Sequence, residues 1–218
     1  KTLIHSINLV KPQAIVVGEE CRAAVDEVRS ELNIKTEEFY LFADQNVWKD
    51  AGTAPSGYQN LQRITATLPR FNPPTGGSIF FGDGLFYIYT SGTTGLPKAV
   101  VFTHGRWMRA FGTYGHIMNL NADDVLYSTL PLYHATGMVV CWACVIAGTG
   151  TFAIRRKFSA SQFWSDARKY DATAMGYVGE LCRYLADAPP SPQDRQHHIR
   201  KMIGNGMRPN IWGKFKQR

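Results

Sequence analysis

The sequence is poor in the features that mark unusual protein classes. It contains four cysteines in 218 residues, too few for a disulfide scaffold, which favours a reducing compartment. Charged residues make up 19% and hydrophobic residues 44%, a composition that excludes a disordered or low-complexity chain. Residues 1–10 lack the apolar run and small-residue cleavage site of a signal peptide. We therefore expect a cytoplasmic protein, either free or peripheral on the cytoplasmic face of a membrane.

The chain also lacks an unbroken apolar run of membrane-spanning length. Its longest stretch without a charged residue or a histidine runs from Ala135 to Ile154, about the length of a bilayer span. Gly148-Thr149-Gly150 interrupts that stretch, and such a cluster is typical of a break between elements. The pattern therefore predicts a buried helix followed by a buried strand.

Acidic residues are absent from the C-terminal stretch. The formal net charge is +7, and residues 195–218 account for all of it, with seven basic residues and no acidic residue. Such a segment is typical either of contact with nucleic-acid or membrane phosphate, or of a piece of a larger protein whose acidic partners lie elsewhere. No nucleic-acid motif accompanies it, so we expect no nucleic-acid partner.

Short β-rich apolar runs alternate with helical patterns, which predicts an α/β fold with a mainly parallel sheet and flanking helices. The predicted strands are Ala14–Gly18, Phe39–Ala43, Leu85–Tyr89, Ala99–Phe102, Val125–Leu132, Thr151–Arg155, Ala172–Val178 and Lys201–Ile203. The predicted helices are Glu19–Leu32, Leu61–Leu68, His104–Asn119, Gly137–Ala147, Ser159–Tyr170 and Glu180–Asp187. In the fifth helix we expect Ser159 as N-cap, with Phe163, Ala167 and Tyr170 facing inward. Ligand contacts are expected at the carboxyl ends of the strands.

The chain divides at the end of a long connection. Residues 44–78 are rich in Gly, Pro, Asn and Thr, and a connection of that length suggests a boundary or a surface excursion. We therefore expect a partial N-terminal subdomain at 1–78 and a core segment at 79–218.

The segment with the most chemical character joins the third and fourth predicted strands. It contains hydroxyl, glycine and lysine residues at Thr90, Ser91, Gly92, Thr93, Thr94, Gly95 and Lys98. Glycine lets backbone N–H groups approach an anion closely, hydroxyls add donors, and lysine adds a positive charge. The spacing does not fit the Walker pattern. The residues alone favour either a phosphate-binding loop or an ordinary turn between two strands.

The complete string from Tyr87 to Lys98, Tyr-Ile-Tyr-Thr-Ser-Gly-Thr-Thr-Gly-Leu-Pro-Lys, resembles the phosphate loop of acyl-adenylate-forming enzymes. This superfamily includes acyl-CoA synthetases, firefly luciferase and peptide-synthetase adenylation domains. Leu130–His134 resembles a second core motif of the superfamily. The strings that resemble its very-long-chain acyl-CoA synthetase and fatty-acid-transport-protein branch are Arg155–Ala160, Tyr177–Leu185 and Gly204–Arg208. That branch more often has Leu where Met207 stands.

The resemblance implies an AMP-binding fatty-acyl-CoA synthetase that uses ATP, Mg²⁺ and CoA. It implies a nucleotide-binding role for Thr90–Gly95 and Lys98 and an adenine contact for Gly204, Asn205 and Gly206. It implies carboxylate contacts for Tyr133 and His134, and His134 and Lys98 are the catalytic candidates. The acyl-channel candidates are Gly176, Tyr177, Gly179 and Glu180.

Each of these candidates also has an ordinary structural interpretation. A single histidine such as His134 is often a core residue. Gly204–Gly206 fits a common turn, and Gly176–Glu180 fits a strand-to-helix turn with an acid in the first helical turn. The alternatives to fatty-acid activation are a basic phosphate-binding module and an adenylating ligase for another carboxylic acid.

The family's later motifs do not occur in this sequence. These are a Tyr-Gly-Ala-Thr-Glu type string that helps to hold ATP and Mg²⁺, a Thr-Gly-Asp motif, and a small C-terminal domain with a catalytic lysine. By resemblance, the 218 residues are therefore a middle piece of the large N-terminal domain. We expect this piece to contain no metal ligands and to be inactive alone.

Two further motifs are expected to be structural. Cys141-Trp142-Ala143-Cys144 lies inside an apolar helical run with no basic neighbour, which favours a buried core pair over a redox or zinc site. Arg155-Arg156-Lys157 is typical of a solvated strand end, with CoA or membrane phosphate as the alternative partner.

Overall fold

A computed structural model describes residues 1–43, 54–74, 76–91 and 95–217. The chain forms two compact units. The first comprises Lys1–Ser78 and Tyr89–Val100, and the second comprises Ile79–Ile88 and Val101–Arg218. The division predicted at residue 78 from composition stays a prediction.

The first unit is built on a small parallel sheet. Its elements are α1 (Thr2–Leu9), β1 (Ile15–Gly18), α2 (Arg22–Asp26), β2 (Phe39–Phe42), β3 (Gln59–Asn60) and α3 (Leu61–Ala66). The strand order is β1-β2-β3, with both pairs parallel. Val17, Val25, Phe39 and Leu41 are buried together in its core, and burial alternates along β2 as expected for a strand with one face on the core.

The second unit contains a four-stranded parallel sheet in the order β7-β6-β8-β9. Its strands are β6 (Val125–Ser128), β7 (Thr151–Ile154), β8 (Ala174–Val178) and β9 (Lys201–Asn205). Its helices are α4 (His104–Met118), α5 (Trp142–Gly148), α6 (Phe163–Lys169), α7 (Gly179–Asp187) and α8 (Pro209–Gln217). A separate two-stranded sheet of β4 (Gly84–Thr90) and β5 (Lys98–Thr103) has residues in both units.

The core of the second unit lies between this sheet and its helices. Leu126, Tyr127, Met175 and Phe163 are buried there. The parallel strands carry near-continuous apolar runs, as expected where both sheet faces are covered. The predicted α/β class with a mainly parallel sheet is thus confirmed.

The uncharged stretch from Ala135 to Ile154 forms helical turns and then β7. A π-helical segment at Thr136–Cys141 precedes α5, and Thr149 adopts a left-handed conformation with φ 55° at the predicted break. No helix among the described residues is long and apolar enough to cross a bilayer.

The helix predicted over Glu19–Leu32 is wrong. The segment divides into a 3₁₀ turn at Glu19–Cys21, α2, and a second 3₁₀ turn at Arg29–Glu31. Tertiary contacts of Arg29 accompany the break: its guanidinium lies 4.0 Å from the centre of the Phe39 ring and donates to the carbonyl of Gly57. These contacts outweigh the modest helix propensity of the segment.

Two predicted boundaries differ because serines form local turns. The strand predicted to reach Leu132 ends at Ser128, whose Oγ accepts a hydrogen bond from the backbone N–H of Leu130 at 3.1 Å. The helix predicted from Ser159 begins at Phe163 instead. The Ser159 hydroxyl lies 3.2 Å from the Ser161 hydroxyl and caps no helix.

Burial within α6 follows the prediction only in part. Phe163 and Ala167 are buried as predicted, whereas Tyr170 is 47% exposed. The sequence reasoning also missed α1, β3 and α8. A proline at the first helical position, Pro209, is a signal that predicts the start of α8.

Candidate functional site

The carboxyl edge of the four-stranded sheet brings several predicted site residues into one unit. β6 ends at Ser128, β8 at Val178 and β9 at Asn205. The segments containing His134, Gly179 and Gly206 follow these three strands. Parallel strands place their carboxyl ends at one edge, which is where open α/β sheets bind ligands.

The predicted acyl-channel and adenine segments lie directly against each other. Tyr177 pairs with Gly204 and Val178 with Asn205 in the β8–β9 register. A Cβ placed on Gly204 would lie 1.9 Å from the carbonyl oxygen of Tyr177. Glycine is therefore required at position 204 by backbone packing, independently of any contact with adenine.

A second close approach follows at the end of these strands. A Cβ on Gly179, the first residue of α7, would lie 1.8 Å from the carbonyl oxygen of Gly206. Gly206 itself has φ +72°, a conformation that favours glycine. Gly204 and Asn205 belong to β9, so the chain does not turn at these two residues as the turn interpretation of Gly204–Gly206 supposed.

The remaining acyl-channel candidates have different surroundings. Gly176 is buried, and a Cβ there would lie 2.5 Å from the Cys141 Sγ and 3.2 Å from the Ser128 Oγ. Tyr177 is half-buried, and burial together with Cys182 raises its pKa. Glu180 is exposed, and the Arg183 Nε donates to it at 2.8 Å.

The Pro131–His134 segment is open to solvent. Tyr133 is 82% exposed, and His134 is also exposed. The backbone N–H of Thr136 donates to the Nδ1 of His134 at 3.4 Å. The Thr136 Oγ1 lies 3.5 Å from the same nitrogen, so Thr136 positions the ring while the exposed imidazole remains accessible to a ligand.

The sequence reasoning missed Thr129, which lies between β6 and the Leu130–His134 segment. It is 6% exposed, and its hydroxyl has no hydrogen-bond partner among the described residues. Leaving a buried hydroxyl unbonded is costly. In the sequence Thr129 lies inside the strand predicted over Val125–Leu132, so no signal marked it as a residue of the ligand-binding edge.

The predicted phosphate loop belongs to the first unit, and the structure describes its two ends. Thr90, Ser91, Gly95 and Lys98 are exposed. Gly95 has φ +98°, and a Cβ there would meet no atom within 4 Å. The predicted residues Gly92, Thr93 and Thr94 lie outside the described residues.

Two contacts within the first unit hold the chain on either side of this loop. The Tyr89 hydroxyl donates to the Ser6 carbonyl at 2.5 Å. The Nε2 of His5 lies 3.0 Å from the Pro97 carbonyl oxygen. The described ends of the loop are thus anchored by their strands while their polar side chains remain accessible.

Many cations of the basic C-terminal stretch have partners within the second unit. Arg200 lies 2.5 Å from Asp124, and Lys214 lies 2.5 Å from Asp187. The Lys201 ammonium donates to the carbonyls of Met118 and Asn119 at 2.7 Å. Such pairing favours a structural role for these charges over a nucleic-acid surface.

The pair of Arg200 and Asp124 changes the pKa of the Asp124 carboxyl. Burial by itself opposes ionisation of Asp124, but hydrogen bonds from Thr173, Asn121 and Arg200 outweigh it and lower the pKa of Asp124. Asp124 is 1% exposed. Its carboxylate joins the start of β6 to the residues that precede β8 and β9.

Arg155 follows the end of β7 and is also engaged. Its guanidinium contacts Asp166, which accepts a hydrogen bond from the Tyr127 hydroxyl at 2.9 Å. The Arg155 Nε donates to the Lys157 carbonyl at 3.1 Å. These contacts hold the end of β7 against α6.

The buried thiols of the second unit are poor nucleophiles. Burial raises the pKa of Cys141 to about 12 and that of Cys144 to about 11. All four cysteines of the chain are free. Within the described ranges, no group of three or more His, Cys, Asp or Glu side chains could hold a metal ion.

Comparison with known proteins identifies relatives over the whole chain. The family model described as AMP-binding enzyme matches residues 1–218. The medium/long-chain-fatty-acid–CoA ligase FadD6 of Mycobacterium tuberculosis is 45% identical over 161 residues, which cover 73% of this chain and 27% of the relative. Long-chain fatty acid transport protein 1 of Bos taurus is 44% identical over 211 residues, covering 94% and 31%. The chain thus spans about a third of the length of these relatives.

Solved structures show the same fold at low sequence identity. A putative long-chain-fatty-acid CoA ligase from Rhodopseudomonas palustris has a TM-score of 0.78 at 19% identity, over 99% of this chain and 50% of that one. ATP-bound MatB from the same organism has a TM-score of 0.76 at 19% identity, over 99% and 40%.

Proposed function

Because this chain belongs to the AMP-binding enzyme family, we propose that the protein containing it is an ATP-dependent fatty-acyl-CoA synthetase for long- or very-long-chain acids. The observation that carries the proposal is the family match over residues 1–218, together with relatives named as fatty-acid ligases at up to 45% identity. The proposal concerns the whole protein, of which the comparisons cover a part.

The proposed reaction has two steps. The fatty carboxylate attacks the α-phosphorus of ATP, and the bond to pyrophosphate breaks to give an acyl-adenylate. The CoA thiol, on losing its proton, then attacks the acyl carbon and displaces AMP. The first step brings an anion against a polyanion, so it needs positive charge and aligned reactants.

The loop between β4 and β5 suits the pyrophosphate side. We assign Thr90–Gly95 and Lys98 to that role. Its described ends are exposed, and Gly95 leaves open space where any other residue would carry a side chain. Preorganised donors of this kind contribute about 3 kcal/mol each to a transition state.

The carboxyl edge of the four-stranded sheet suits the acyl and adenine groups. We assign the fatty carboxylate to the imidazole of His134 and to Tyr133, and the adenine to Gly204–Gly206. The acyl chain is assigned to the segment Gly176–Glu180.

The family resemblance implies Mg²⁺, but the described side chains offer no site for this ion. They provide no cluster of carboxylates that fits the octahedral oxygen shell of Mg²⁺. We therefore assign no metal ligand and derive no step through the ion.

Fatty-acid-dependent ATP–pyrophosphate exchange by the full-length protein tests the proposal. We expect exchange only when ATP, Mg²⁺ and hexadecanoate or a longer acid are all present. Lys98→Ala should lower the exchange rate about a hundredfold, whereas Lys35→Ala, which changes another exposed lysine of the first unit, should leave it unchanged. The absence of exchange with hexadecanoate and with every longer acid would refute the proposal.

A panel of acids separates the proposal from the alternative ligase. Exchange with benzoate or cholate but not with hexadecanoate or tetracosanoate would identify a ligase for another acid class. We also propose that the 218-residue chain alone has no exchange activity, and turnover by the purified chain would contradict that.

Peripheral membrane association stays a prediction. Sedimentation of the full-length protein with anionic phosphatidylserine vesicles tests it. Binding that weakens as the salt concentration rises would support an electrostatic attachment.

A further inference from the structure

The second unit contains a cavity of about 360 Å³ that the proposed reaction does not use. It lies at the amino end of the sheet, since Lys201 and Met202 at the start of β9 line it. Arg200, also in the lining, pairs with Asp124, which directly precedes β6. The cavity is therefore at the opposite edge of the sheet from His134 and Gly206.

The walls of the cavity are largely apolar and aromatic. Trp164 stacks with His197 at a centroid distance of 4.7 Å and with Phe215 at 6.4 Å. The other apolar lining residues are Met175, Leu185, Ile199, Met202 and Trp212. The volume is in the usual range for small-ligand sites, and Trp212 remains 46% exposed.

The rim of the cavity is positively charged. Four cations line it, Arg195, Arg200, Lys201 and Lys216, together with the single carboxylate of Asp194. Asp124 compensates Arg200, and the Lys201 ammonium is held by the carbonyls of Met118 and Asn119, so the assignment of a carboxylate rests on Lys216. Burial and the neighbours Arg168 and His198 lower the pKa of His197, so at neutral pH its ring adds no charge.

An apolar body with a cationic rim defines the ligand class. The small net charge suits one carboxylate better than the four negative charges of a nucleoside triphosphate. The aromatic and aliphatic walls suit an alkyl chain, whose burial supplies most of the binding free energy. A cationic amphiphile would be repelled by the rim.

We propose that this cavity binds one alkyl carboxylate, such as dodecanoate, at a site separate from the carboxyl edge of the sheet. The apolar walls hold the alkyl chain, and the rim that includes Lys216 holds the carboxylate. This second site goes beyond the proposed synthetase function and does not depend on it.

The test is calorimetric titration of the full-length protein with dodecanoate at pH 8. It is run with and without a saturating non-hydrolysable dodecanoyl-sulfamoyl adenosine, which occupies the proposed catalytic site. We expect one equivalent of dodecanoate to bind in the presence of the adenylate analogue. Butyrate, which lacks a long chain, and dodecyltrimethylammonium, which has the opposite charge, should not bind there.

Two variants test whether the bound dodecanoate occupies the cavity, and a third, matched variant is the control. Lys216→Gln should weaken dodecanoate binding about fivefold. Lys214→Gln removes the same charge from α8 outside the cavity and should have no effect. Ile199→Trp fills the cavity and should abolish binding.

The proposal would be overturned if the wild-type protein bound no dodecanoate in the presence of the adenylate analogue. It would also be overturned if Lys216→Gln and Ile199→Trp bound dodecanoate as tightly as the wild-type protein does. If only the proposed synthetase function is wrong, the adenylate analogue does not change dodecanoate binding, and Lys216→Gln still weakens that binding.

Discussion

The close contact between β8 and β9 makes Gly204→Ala a sharp test of the structure. The added methyl group would lie 1.9 Å from the Tyr177 carbonyl oxygen, so the strands must separate by about 1.5 Å to restore an ordinary contact of about 3.4 Å. That separation breaks about two ladder hydrogen bonds worth about 1 kcal/mol each and adds about 1–3 kcal/mol of overpacking.

The expected loss of unfolding free energy is about 4 kcal/mol, which lowers Tm by about 10 °C for a chain of this size. Differential scanning fluorimetry of the purified protein measures it. Gly213→Ala is the matched control, because a Cβ at this position in α8 meets no atom within 4 Å. Its higher helix propensity adds about 1 kcal/mol and should raise Tm by about 3 °C. A Gly204→Ala protein whose Tm stays within about 2 °C of the wild type would refute the β8–β9 geometry.

Three further predictions concern buried polar groups. Iodoacetamide at pH 8 should label the exposed Cys21 and spare the buried Cys141 and Cys144, as peptide mass spectrometry would show; rapid labelling of the pair would contradict their burial. The Asp124 carboxylate stabilises the fold above its unfolded pKa of about 4 and loses that contribution as pH falls through its lower folded pKa. The stability gap between wild type and Asp124→Asn, measured by urea unfolding, should therefore narrow between about pH 5 and about pH 2, and a constant gap would argue against the pairing. Thr129→Val should raise the unfolding free energy by about 1 kcal/mol because it removes an unbonded buried hydroxyl without changing the side-chain shape; a lower Tm would mean that the hydroxyl has a partner.

The basic C-terminal stretch illustrates how tertiary structure changes the meaning of a charge pattern. In sequence, seven cations stand without an acid, and the missing partners had to be assumed elsewhere. In the structure, Arg200 reaches Asp124 across 76 residues of sequence, and Lys214 reaches Asp187 on α7. Linear composition cannot identify such partners because the fold brings them together.

Local patterns were sufficient for much of the fold and for the family. The parallel strands β6, β7, β8 and β9 were predicted from short apolar runs between turn signals. Such runs are recognised from residues that are neighbours in the chain. The Tyr87–Lys98 string was sufficient to predict the family, because it is a motif of consecutive residues that can be recognised without the fold.

Tertiary structure alone decided the features that depend on distant residues. The interruption after α2 accompanies the contact of Arg29 with Phe39, and the need for glycine at 204 comes from a carbonyl on the neighbouring strand. The cavity beside Trp164 likewise forms from α6, α7, β8, β9, α8 and the segment that precedes β9. The sequence by itself determined the elements and the motif, because both are set by consecutive residues, whereas packing between elements set their exact ends and surroundings.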